Sequence, residues 1–142
     1  ENASSIAALF ECEGKTVLWL SDSVPSVIIH SLSKLGYSEA NKLRCDVVLV
    51  SHQGSAANNS LALLKMIQCD KYIFSADGIN RHCLPNKETI ARIIFASSKL
   101  PVTLYFNYDD GRLMRMFKQD EPEYVKSVID IHYLRDMEGI VF

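Results

Sequence analysis

With 142 residues, nearly half of them apolar, the chain has the size and composition of one ordinary globular domain able to bury a core. Its formal net charge of -2 argues against a protein held to nucleic acid by a broad basic face, although a local basic groove for nucleic acid stays open. No apolar run reaches membrane-spanning length, and Glu1 to Ser5 lack the basic and apolar regions of a signal peptide.

The elements follow in order. Ile6 to Leu20 reads as a β-hairpin turning at Glu13-Gly14-Lys15. Val24, Val27, Ile28, Leu32 and Leu35 then recur at helical spacing, with Ser23 as cap, Pro25 in the first turn and Gly36 as the stop. His30 falls on the opposite, solvent-facing side of that helix. A polar connection from Tyr37 to Arg44 leads to a strand at Asp46 to Val50. Asn59 or Ser60 caps a helix whose Leu61, Leu64 and Ile67 face the core. Lys71 to Ser75 is the next buried strand, followed by a loop from Ala76 to Asn86. A helix from about Lys87 to Ser98 turns Ile90, Ile93 and Ile94 inward, and Pro101 precedes a strand at Val102 to Phe106. Asn107 to Gly111 reads as a turn and Leu113 to Phe117 as a returning strand, a second hairpin. A short helix around Tyr124 to Val128 and a tail able to form an edge strand close the chain. Strands alternating with helices predict a single α/β domain over residues 1–142: a mixed β-sheet covered by helices, mixed because of a hairpin at each end.

Three strands empty a chemically useful group into the loop that follows. These are Asp22 in Ser21-Asp22-Ser23, His52 in Ser51-His52-Gln53-Gly54-Ser55, and His82 beyond Asp77-Gly78-Ile79-Asn80-Arg81. A carboxylate with neutral imidazoles is a ligand set that zinc, manganese or iron accepts. No glycine pattern for a dinucleotide or a P-loop is present, and Ser55, flanked only by Gly54, is a poor nucleophile elbow. Cys12, Cys45, Cys69 and Cys83 form no Cys-x-x-Cys pair, which fits neither a structural zinc site nor a disulfide framework and suggests a reducing, cytoplasmic setting. Cys83 adjoins His82 but reads as a bystander, and His132 as a structural or surface histidine.

The order Asn2-Ala3-Ser4-Ser5, Ser21-Asp22, Ser51-His52-Gln53-Gly54-Ser55 and Asn80 to Pro85 resembles the C-terminal half of a metallo-β-lactamase-fold hydrolase of the competence-protein (ComEC-type) branch. That branch carries N-x-S-S, a G-D pair, an H-H-G-S loop and an N-x-Y-G-H-P loop in this order, and the likeness runs from about Asn2 to Gly111, with 113–142 as an extension beyond it. It implies one half of an αββα sandwich. Asp22 would be a metal ligand, His82 a second one after a shift of two residues, and His52 a rim residue that polarises substrate or acts as general acid. Ser51, Gln53, Ser55 and Asn80 would contact substrate. The sequence departs from the pattern at Ser21 for Gly, Gln53 for the second His and Leu84 at the aligned His, and it holds no H-x-H-x-D-H. The resemblance therefore implies a zinc or other divalent cation in the intact protein, and the missing N-terminal half of the same fold as partner. As given, the chain, which does not begin with Met, would be a portion of a hydrolase for phosphodiesters or other esters, inactive alone, or else a degenerate binding or assembly module. Bare sheet left by the missing half predicts self-association.

Overall fold

The computed structural model describes residues 4–76, 82–108 and 111–134. A six-stranded sheet organises them: β1 (Ala8–Cys12), β2 (Lys15–Trp19), β4 (Val47–Leu49), β6 (Lys71–Phe74), β7 (Val102–Phe106) and β8 (Ile129–Tyr133), hydrogen-bonded in that order. Two short strands, β3 (Leu43–Arg44) and β5 (Ile67–Gln68), pair in parallel as a separate sheet. The helices are α1 (Pro25–Lys34), α2 (Leu61–Lys65), α3 (Lys87–Ala96), α4 (Gly111–Arg115) and α5 (Pro122–Val128). The protein is thus α/β, with a mixed sheet.

Among the described residues only β1 runs antiparallel, and every other neighbouring pair is parallel. From β2 to β8 the strands follow one another in sequence across the sheet. With right-handed crossovers, an order that always advances the same way puts every connecting helix on the same face. Burial agrees. Leu18, Val48, Tyr72, Phe74, Leu104 and Phe106 are buried in one cluster with Leu63, Leu64, Ile90 and Ile93 of the helices. Their sequence neighbours Ile73 and Tyr105 are only half-buried and lie outside that cluster. Among the described residues the helices therefore cover one face of the sheet and not the other.

Local chemistry explains most boundaries. The hairpin turn takes Glu13 and Gly14 at positive φ, 50° and 77°, as a two-residue loop matched to strand twist requires. Pro25 opens α1, and Gly36 at φ 88° follows its end. Ser60 caps α2 by accepting from the Leu63 N–H at 3.2 Å.

Several expectations need correction. Leu113 to Phe117 does not return as a strand: residues 111–115 are helical, Leu113 is buried, and the edge is instead β8, parallel to β7. Leu113, Met116 and Phe117 fit helical spacing as well as an apolar strand does, and so short a run does not separate the two periods. Among the described residues the sheet is consequently mixed through one hairpin, not two. Ser23 does not cap α1; Val24 occupies that position, and the Ser23 hydroxyl is buried without a partner among the described residues. Val27 and Leu35 stay exposed, and Ile67 sits in β5 rather than on α2.

Candidate functional site

The parallel strands all deliver their following loops to one end of the sheet, the end at which α/β folds bind ligands. Asp22 follows β2, Ser51 to Ser55 follow β4, and His82 follows β6, so the three groups stand at this common end. The first two loops touch directly. His52 donates its backbone N–H to the Ser21 carbonyl at 2.7 Å, which brings the backbone bearing the imidazole beside the backbone bearing the carboxylate. Asp22 is exposed, and among the described residues its carboxylate has no hydrogen-bond or ion-pair partner. His52 is half-buried, whereas His82 is exposed. The N-terminal segment joins the rim as well: Ser5 Oγ accepts from the Asp22 N–H at 3.0 Å and donates to Ser21 Oγ at 3.1 Å.

The loop after β4 is held in an uncommon shape. His52 (φ 45°, ψ 56°) and Gln53 (φ 55°, ψ 21°) are both left-handed, Ser21 (φ 48°) and Cys83 (φ 54°) likewise. Each costs a non-glycine residue free energy, and such conformations persist where surrounding structure over-determines them. Gly54, at φ 85°, is the pivot: a Cβ there would lie 2.6 Å from Pro85 Cβ and 2.8 Å from the Phe74 ring. Only glycine lets this backbone pass between them.

Buried amides do the holding. Asn59, fully buried, accepts from the Ser51 N–H at 3.2 Å and donates to the carbonyls of Ser51 at 2.8 Å and Ser55 at 2.7 Å. Asn58 donates to the carbonyls of Asp22 and Ser23, both at 3.2 Å, tying the β4 loop to the β2 loop. From α3 and the Asn86 that precedes it, Thr89 Oγ1 donates to the Gly54 carbonyl at 2.8 Å, Asn86 accepts from the Ala56 N–H at 2.8 Å, and Arg92 donates to the carbonyls of Ala56 and Asn59 at 2.6 and 2.9 Å. Buried carbonyls left without donors would be costly, so these side chains set the rim's shape.

Among the residues expected to contact substrate, Ser51 is buried and its hydroxyl donates to the Ser23 carbonyl at 2.8 Å, a bracing role. Gln53 is exposed and Ser55 half-buried. Asn80, with Asp77 and Arg81, lies outside the described residues. Among the described residues no three His, Cys, Asp or Glu side chains gather closely enough to hold a metal ion. Asp22, His52 and His82 are therefore a partial donor set at best, too few for zinc or another divalent cation without donors from elsewhere.

Sequence reasoning missed Ser5 as a bridge, and Asn58 and Arg92 altogether, and it took Asn59 only as a helix cap. The readable signal was the doublet Asn58-Asn59 between a polar loop and an apolar helix, two amides where one cap would do. No helix among the described residues is long and apolar enough to cross a membrane. Comparison with protein-family models, with curated proteins and with solved structures finds no match for the chain.

Proposed function

We propose that the chain is the C-terminal portion of a metal-dependent hydrolase of metallo-β-lactamase type, supplying half of a site for phosphodiester or other ester hydrolysis and inactive by itself. The observation that carries the reading is the direct joining of the Asp22 and His52 loops at the end of the sheet where the parallel strands finish. In the completed protein Asp22 is a metal ligand and His52 an imidazole at the rim that polarises the substrate or protonates the leaving group. The described residues of this chain gather no metal-holding group on their own, and on this reading the remaining donors come from an N-terminal half of the same fold. A second reading, a non-catalytic binding or assembly module, is favoured by Gln53 and Leu84 standing where the resemblance calls for histidines and by the bracing role of Ser51.

The test compares the 142-residue chain with the longer polypeptide that includes its natural upstream residues, both purified without chelator. Expected are substoichiometric metal and background hydrolysis of bis(p-nitrophenyl) phosphate for the chain, and bound metal with turnover for the longer form. Turnover of the longer form should fall at least about 100-fold in Asp22→Ala and about 10- to 100-fold in His52→Ala, with the fold preserved. A longer form without H-x-H-x-D-H, or without turnover, would give the second reading precedence.

A further inference from the structure

Cys45 and Cys69 stand far apart in the sequence and belong to no Cys-x-x-Cys pair, yet the small parallel sheet brings them side by side. Its register matches Leu43 with Ile67 and Arg44 with Gln68, and the ladder continues as the Cys45 N–H donates to the Gln68 carbonyl at 3.0 Å. The next residues in register are therefore Cys45 and Cys69. Burial alternates alike in both segments: Leu43 and Ile67 are buried, Arg44 and Gln68 exposed, Cys45 half-buried and Cys69 buried. Both thiols thus leave the backbone on the inner side, where both pack against the core. A half-open cleft of about 240 Å³, lined by both cysteines with Arg44, Gln68 and Lys99, opens beside them. Electrostatics agrees with this closeness: after burial, Cys69 is the next cause that pushes the Cys45 thiol up to about 12.

We propose that Cys45 and Cys69 are a reversible thiol–disulfide pair, oxidised by a low-molecular-weight disulfide to a bond that staples the ends of β3 and β5. Neighbouring strands lie about 4.8 Å apart, within the about 4.4–6.8 Å between Cα atoms that a disulfide spans. Cys45, the less buried of the two, reacts first. Its thiolate attacks one sulfur of the small disulfide, a mixed disulfide forms, the original S–S bond breaks, and the departing thiolate takes up a proton in place of the one Cys45 released. The Cys69 thiolate then attacks the Cys45 sulfur, the Cys45–Cys69 bond forms, and the second small thiol leaves with the proton that Cys69 gave up. Two electrons pass from the pair to the small disulfide, which becomes two thiols. In exchange Cys69 loses the hydrogen bond it donates to the Lys71 carbonyl at 3.1 Å. The new bond ties the segment entering β4 to the segment entering β6, so the redox state of the surroundings sets how firmly the centre of the sheet is held. Neither the Asp22–His52 rim nor the proposed hydrolysis enters into it.

Burial slows both thiols in the native state, so the pair is best brought to equilibrium through the unfolded chain. The reduced 142-residue chain carrying Cys12→Ser and Cys83→Ser is refolded from urea into a glutathione redox buffer, quenched with acid and resolved by chromatography and mass. With the circular dichroism spectrum of the folded protein regained, the equilibrium constant for closing the bond is expected to be at least about 100-fold larger than in about 8 M urea. The oxidised monomer should unfold at a urea midpoint higher by about 1 M, a gain that dithiothreitol reverses. An equal or smaller constant in the folded chain would overturn the pairing, as would mixed disulfides with glutathione in place of the internal bond. Peptide mapping of the unsubstituted chain, oxidised in the same buffer, should find Cys45 joined to Cys69. Preferential joining of either one to Cys12 or Cys83 would equally overturn it.

Discussion

The two ends of the sheet satisfy their buried backbone in different ways. At the end where the strands begin, backbone pairs mostly with backbone: Asp46 N–H with the Thr16 carbonyl at 2.8 Å, Cys45 with Gln68 at 3.0 Å, Thr103 with Asp70 at 2.7 Å. Between them sit the thiols of Cys45 and Cys69. At the end where the strands finish, side chains from distant elements do the work, and the left-handed residues Ser21, His52, Gln53 and Cys83 collect there. The first arrangement is what an unconstrained α/β protein settles into. The second holds a backbone where it would not otherwise rest.

Substitutions break this contrast to different degrees. The largest effect belongs to Gly54→Ala, whose methyl group meets Pro85 and Phe74 in a left-handed backbone; urea denaturation should show about 2–4 kcal/mol lost. Next comes Asn59→Ala. It strips partners from the Ser51 N–H and from two carbonyls, and is expected to cost about 2–3 kcal/mol by the same measurement.

The opposite end responds to pH instead. Burial, reinforced by Cys69 and Asp46, pushes the Cys45 thiol up from 9.0 to about 12, and burial pushes Cys69 up to about 11. Unfolded thiols ionise first, so the unfolded chain binds fewer protons than the folded one above the ordinary thiol value. Stability from these groups is complete below pH 9.0 and is lost as pH rises through about 11 and 12. Denaturation midpoints measured across that window should fall, and Cys45→Ala with Cys69→Ala should flatten part of the slope. In the native protein exposed Cys12 and Cys83 should react with a thiol reagent well ahead of Cys45 and Cys69. The smallest effect, a gain, is expected for Gln53→Gly: relief of an exposed left-handed residue should add about 0.5–1 kcal/mol. A loss there would mean that the Gln53 side chain is itself part of the bracing.

Strands were legible because β-branched runs such as Val47 to Val50 end sharply in polar residues, and the same switch placed Asp22 and His52 at one end of the sheet. Strand order was not legible, since nothing local in Lys71 to Phe74 says which neighbour it pairs with. Residues 113–117 went astray because five residues hold too little period. Ser51 looked like a substrate contact from its place in the motif, yet its hydroxyl meets a carbonyl 28 residues away, a partner no sequence window contains. Arg92 was invisible for the same reason: its guanidinium answers carbonyls 33 and 36 positions earlier.

The one-way strand order has a consequence for how the molecule comes together. From β2 onward each main-sheet strand adds at the margin its predecessor has left open, so no strand must be inserted between two already joined. A chain emerging amino end first can build the sheet in the order of its synthesis, each helix closing over the strand just laid. Removing β8 would trim one margin and leave every other ladder whole, whereas removing β4 would sever the hairpin from the rest.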